Sequence, residues 1–184
     1  MHIKELQKKY DYTINTFVNL PVYADSVLDS DECDEFVNLM ESSSENYSDG
    51  FIGNKNSNSS VRVSKIKWIA PKDVQWLTDR LVNVVNFMND KYYKFDLNGL
   101  CNFTPFQFIK YEDGGHYDWH IDQNITADEI YSTRRLSFTL QLSDTTDYEG
   151  GDLYVSGLNE PMRRDKGSLT IFPSHCRHQV TPVE

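Results

Sequence analysis

Leu136-Ser137-Phe138-Thr139-Leu140-Gln141-Leu142 alternates apolar and polar residues without a break. A period of two marks a β-strand with one face on a hydrophobic layer. Leu136, Phe138, Leu140 and Leu142 make the apolar face. Ser137, Thr139 and Gln141 make a polar but uncharged face, which suits the wall of a cofactor cavity or a solvated surface. Outward from this strand, short runs of similar texture recur at 106–111, 116–122, 152–155, 168–172 and 178–181. Glu112-Asp113-Gly114-Gly115, Glu149-Gly150-Gly151 and Lys166-Gly167 punctuate them with turn residues.

Upstream the period changes. After Asp29-Ser30, either of which can cap a helix, Cys33, Phe36, Val37 and Met40 fall at i, i+3, i+4 and i+7. After Pro71, a second helix places Val74, Leu77, Leu81, Val84 and Met88 on one side. Between the two, 13 of the 19 residues from 42 to 60 are Ser, Asn or Gly. Such a stretch cannot build a core and reads as a loop, either a lid or an insertion. Helices first and evenly spaced strands second predict a mostly β fold, a double-stranded jelly roll with N-terminal helices packed on one sheet. The expected organisation is one domain over 1–184, with 1–100 as helical support and 101–184 as the jelly-roll core.

The net charge of −10 opposes a function built on gripping nucleic-acid backbone. The pairs Arg134-Arg135 and Arg163-Arg164 are local exceptions that fit a basic groove or a solvated surface equally. Cys33, Cys101 and Cys176 are an odd set without CxxC spacing, which suggests reduced thiols and no zinc finger. N-x-S/T sequons at Asn46, Asn58, Asn102 and Asn124 come without a signal-like segment near Met1 and read as by-products of composition. No stretch is long and apolar enough to span a membrane. The expectation is a cytoplasmic protein with neither nucleic-acid nor membrane partners.

The chemistry is carried by His120-Ile121-Asp122. Two residues apart on a strand, both side chains face one way, whereas on a helix they would diverge by roughly 200°. With His178 downstream they can form a 2-His-1-carboxylate facial triad, which holds Fe(II) and leaves positions for a cosubstrate and molecular oxygen. Zinc could occupy the same donors. An HxD tripeptide is common by chance, but this one follows a Gly-Gly turn in a predicted strand, and His178 opens another strand after Phe172-Pro173-Ser174. His175 competes with His178 for the third position. His2 and His116 read as ordinary side chains.

The block from Tyr111 to Asp122, Y-x-x-G-G-x-Y-x-x-H-x-D, resembles that of 2-oxoglutarate/Fe(II)-dependent, prolyl 4-hydroxylase-like dioxygenases, and PKHD-type hydroxylases in particular. Residues 61–68, 135–143, 148–153, 167–174 and 178–183 continue the likeness in order. The resemblance implies a double-stranded β-helix with His120, Asp122 and His178 as iron ligands and catalytic centre. It implies Fe(II) and 2-oxoglutarate as cofactors, succinate and CO2 as co-products, and ascorbate as a reductant. Tyr111 falls where relatives hold the distal carboxylate of 2-oxoglutarate. Gln141 falls where many place a second cosubstrate-binding Tyr, Leu153 where they line the cosubstrate pocket, and Arg134 where they face substrate. The 42–60 loop matches a flap over the active site. Relatives also carry a Lys or Arg about ten residues after the distal His; this sequence ends six residues after it, at Glu184, so the expectation is a chain truncated before its closing strand. The reaction implied is prolyl 4-hydroxylation in a peptide or protein. A small-molecule or free amino-acid hydroxylase and a non-catalytic metal-binding jelly roll remain alternatives, and the acidic balance disfavours a nucleic-acid demethylase.

Overall fold

A computed structural model describes residues 20–50, 61–100, 105–123 and 133–184. His2, Cys101, three of the sequons (Asn58, Asn102 and Asn124) and the second part of the 42–60 segment lie outside these residues. In chain order the elements are β1 (Val22–Ala24), α1 (Ser30–Ser42), β2 (Ser48–Asp49), β3 (Arg62–Val63), β4 (Lys65–Ile69), α2 (Gln75–Met88), β5 (Phe106–Lys110), β6 (His116–His120), β7 (Leu136–Leu140), β8 (Leu153–Val155), β9 (Leu169–Pro173) and β10 (His178–Val180). A 3₁₀ turn over Pro71–Val74 leads into α2 and a π turn over Asn89–Tyr93 leaves it.

Asp29, not Ser30, caps α1: its carboxylate accepts from the Glu32 N–H at 2.8 Å, and Glu32 reaches back to the Asp29 N–H at 3.0 Å. The apolar stripe then does what its spacing predicts, burying Cys33, Phe36 and Met40. Phe36 meets Trp76 of α2 and Phe108 of β5 edge-on. Val74 of the 3₁₀ turn and Leu77 and Leu81 of α2 close the same core.

Among the described residues the strands form three antiparallel groups, ordered β1-β9-β7, β3-β6-β10-β8 and β2-β4-β5. β9 is buried along its whole length. Leu169 and Ile171 join the helix-covered core, and Leu136, Phe138, Leu140 and Leu142 pack there as their alternation requires. Phe172 joins a second, smaller cluster with Val155 and Cys176. The fold is a mostly β jelly roll with helices on one side.

Two features differ from the sequence reading. The Ser- and Asn-rich segment is not loop throughout, because Ser48–Asp49 pairs with β4 opposite Ile66 and Lys65. Its position beside a sheet edge lets backbone hydrogen bonds override a polar composition. Val22–Ala24 and Lys65–Ile69 are additional strands, too short or too mixed in pattern to be read locally. The Gly-Gly turns are used heavily: Gly150 has φ +66°, and a Cβ there would run into the Pro182 carbonyl oxygen. Backbone bonds from Gly114 and Gly115 to Val183, and from Glu149 to Glu184, hold residues 182–184 between two turns. No described helix is long and apolar enough to cross a membrane.

Candidate metal centre

β6 and β10 pair antiparallel, with His178 opposite His120 and Val180 opposite Tyr117. One residue, Gln179, therefore faces two, Asp118 and Trp119, which is a β-bulge. In a regular strand Tyr117 and His120 would point to opposite faces. The bulge brings them together, with rings stacked at 3.5 Å between centroids and 14° between planes. The Trp119 N–H donates instead to the Asp118 carboxylate at 2.7 Å. His120 Nδ1 lies 2.7 Å from the Asp118 carbonyl.

That last contact fixes a tautomer. A carbonyl only accepts, so the neutral ring carries its proton on Nδ1 and turns the Nε2 lone pair inward. His178 repeats the arrangement, with Nδ1 at 3.1 Å from the Cys176 carbonyl. Burial first, and then the neighbouring His178, push the His120 pKa down to about 4, so its imidazole is neutral at physiological pH.

Asp122 completes the group, although not as the sequence suggests. β6 ends at His120, and Asp122 sits in the bend beyond it. Its N–H and that of Gln123 donate to the Ser174 carbonyl, at 3.1 and 3.0 Å. The carboxylate still converges: Oδ1 lies 3.8 Å from His120 Nε2 and 3.7 Å from His178 Nε2. One donor atom from each residue lies within 4.8 Å of the others. Two imidazole nitrogens and one carboxylate oxygen, each oriented by a backbone or hydroxyl partner, suit a borderline divalent cation such as Fe(II) or Zn(II). His178 is buried and belongs to the cluster, whereas His175 is exposed.

The other expected residues are placed as follows. Tyr111 lies just past β5; burial pushes its hydroxyl pKa up to about 12, with the Arg62 guanidinium beside it pulling the other way. Arg134 is half-buried two residues before β7, next to Arg135, whose carbonyl accepts from the Ser174 N–H. The Gln141 amide donates to the Tyr148 hydroxyl at 2.6 Å. Leu153 packs on the small cluster of Val155, Phe172 and Cys176, whose Phe172 ring lies 4.6 Å from the His178 ring.

Several participants carry no signature that spacing could reveal. Arg62 of β3 is buried, holds its guanidinium 4.3 Å over the Tyr117 ring, and donates to Ser64 and Gln107. Ser137 and Ser174 contact Asp122 and each other. The polar face of β7 was the one hint toward Ser137; nothing local marks Ser174 or Arg62.

The 2OG-Fe(II) oxygenase superfamily model matches residues 106–184, the segment that contains all three converging residues. A PKHD-type hydroxylase of Shewanella oneidensis is 40% identical over 85 residues. That match covers 44% of this chain, and the chain spans 38% of the relative's length. The fold is similar to that of a Pseudomonas putida prolyl-4-hydroxylase, with TM-score 0.65, 19% identity, and coverage of 88% of this chain and 84% of that one. It is equally similar to a Trichoplax adhaerens prolyl hydroxylase in complex with a hypoxia inducible factor peptide fragment, with TM-score 0.65, 19% identity, and coverage of 90% and 79%. Geometry, donor chemistry and sequence similarity meet in the same strands, and it is this segment, residues 106–184, that is similar to the 2OG-Fe(II) oxygenase superfamily.

Proposed function

We propose that this chain is an Fe(II)- and 2-oxoglutarate-dependent dioxygenase that hydroxylates a prolyl residue of a peptide or protein. The convergence of His120, Asp122 and His178 is the observation that carries this reading. Bound there, iron with 2-oxoglutarate would supply oxygen activation, with succinate and CO2 as co-products; ascorbate keeps the metal reduced between turnovers. Within the protein, His120 and His178 offer Nε2 because Asp118 and Cys176 hold Nδ1. Tyr111 remains a hydroxyl donor across the physiological range and binds the distal carboxylate of 2-oxoglutarate. Gln141, through its pairing with Tyr148, and Leu153 shape the cosubstrate side of the pocket. Arg134 faces the substrate at the start of β7. The peptide substrate is supported by the Trichoplax neighbour's complex and by the hydroxylase names of the relatives.

An anaerobic titration of Fe(II) and 2-oxoglutarate tests the reading through the visible charge-transfer band of the chelate. The band is expected in the parent and absent in Asp122→Ala. Succinate release with proline-rich peptides, followed by mass spectrometry, then tests the substrate; one added oxygen on proline is expected. A parent without the band overturns the enzyme reading. Succinate without oxygen on proline overturns the substrate alone.

A further inference from the structure

Asp122 is held by more than its place in the chain. One carboxylate oxygen, Oδ1, faces the two histidines, while the other, Oδ2, accepts a hydrogen bond from Ser137 Oγ at 2.6 Å. Ser137 Oγ lies in turn 2.9 Å from Ser174 Oγ. A serine hydroxyl has one proton, and that of Ser137 is given to Asp122. Ser174 must therefore donate to Ser137, which sets a directed relay from Ser174 through Ser137 to Asp122. Ser174 has no exposed surface, and its backbone is equally committed: its carbonyl accepts from the Asp122 and Gln123 N–H groups and its N–H donates to Arg135 at 3.0 Å. Main chain and side chain of Asp122 are thus fixed by the same two serines, one from β7 and one from the β9–β10 connection.

We infer that Ser137 and Ser174 are positioning residues that hold Asp122 as a one-oxygen metal ligand. This rests on the metal-centre reading above. A carboxylate free to rotate can present both oxygens to one ion, whereas one tied through Oδ2 presents Oδ1 only. Because Asp122 lies in a bend beyond β6, no ladder partner fixes its side chain, and the relay supplies the constraint that the strand does not. Outer partners of this kind commonly change metal affinity by about 10–100-fold when removed.

Titration of the full chain with Mn(II), read by tryptophan fluorescence, would be made on the parent, Ser137→Ala, Ser137→Thr, Ser174→Ala and Asp122→Ala. Ser137→Ala is expected to weaken Mn(II) binding about 10–100-fold, and more than Ser174→Ala does, whatever small drop in metal-free melting temperature the two variants share through the lost Ser137–Ser174 hydrogen bond. Ser137→Thr, which keeps the hydroxyl, is expected to restore binding. Ser174→Ala is expected to fall between, since Ser137 still reaches Asp122 but has lost the donor that orients it. Co(II) ligand-field absorption should change shape in Ser137→Ala, as a second carboxylate oxygen enters. Parent-like affinity in Ser137→Ala overturns the inference and leaves the metal centre standing. An equal fall in affinity and in metal-free stability overturns it in favour of a purely structural role. A parent that binds Mn(II) no better than Asp122→Ala overturns the metal centre, and the inference with it.

Discussion

Tyr111 is the residue on which cosubstrate binding should depend most simply. Its hydroxyl is buried, and its pKa of about 12 keeps it a donor where an ordinary tyrosine, near 10, has begun to ionise. A hydrogen bond to a charged group contributes about 1.5–3 kcal/mol. Tyr111→Phe should therefore weaken 2-oxoglutarate binding by roughly tenfold or more, with Mn(II) binding unchanged. The raised pKa favours the neutral form, so affinity should stay flat from pH 7 to about 10 and fall only as the hydroxyl ionises near 12. Isothermal titration over that range checks both statements. Asp118 supplies a second test, since its carboxylate satisfies the N–H that the bulge leaves without a strand partner. Asp118→Ala should loosen the bulge and weaken metal binding, and Asp118→Asn, which still offers an oxygen, should restore most of it. At this scale the sequence was legible where chemistry is rare. His120 and Asp122, two residues apart, stand out with a distant His178, whereas Ser137, Ser174 and Arg62 are common residue types whose contacts exist only after distant strands meet.

Helix α1 shows how local signals and tertiary contacts divide the work among elements. Its start is written in the sequence, and Asp29→Ala should cost about 1 kcal/mol in urea unfolding through loss of the cap. Its end is not: no basic residue lies in the last turn. Lys67, buried on β4, instead donates to the Met40 carbonyl at 2.5 Å and sits 4.6 Å over the Tyr47 ring. Lys67→Met preserves much of the apolar stem but removes the charged donor, leaving that carbonyl to the Ser43 hydroxyl and N–H, and should cost about 1–3 kcal/mol. This contact could not be read from the helix, because its donor comes from a strand 27 residues away. Glu32 also links α1 to α2 through Arg80 at 2.6 Å. The Arg80 hydrogen bond first, and the Asp29 backbone second, hold its carboxyl below the usual 4.5. The folded state thus binds its proton less readily than the unfolded chain, so this contribution is present above pH 4.5 and fades as the pH drops through the lowered value. The stability gap between parent and Glu32→Gln should accordingly narrow in acid.

Across the whole molecule, alternation in β7 and the evenly spaced short runs around it disclosed a sheet fold, yet not which strands adjoin. β1 pairs Val22 with Ile171, and β3 pairs Arg62 with Tyr117; neither partnership has a local cue, because register between distant strands is set by burial of the assembled core. The centre depends on that assembly. His120 comes from β6, Asp122 from the bend after it and His178 from β10, while the serines that hold Asp122 come from β7 and the β9–β10 connection. In the unfolded chain these donors are dispersed, so a metal ion binds the native state far better than the unfolded one. Ligand at about 100 times its Kd then adds about 2.7 kcal/mol to global stability. For a domain of this size, each kcal/mol raises Tm by roughly 2–4 °C. Saturating Mn(II) should therefore raise the melting temperature by about 5–10 °C, with no effect on Asp122→Ala. Calorimetry with and without a chelator measures the shift. A rise of the same size in Asp122→Ala would place the stabilising ion elsewhere, whereas a shift confined to the parent ties the stability of the jelly roll to the three residues that close it around the metal.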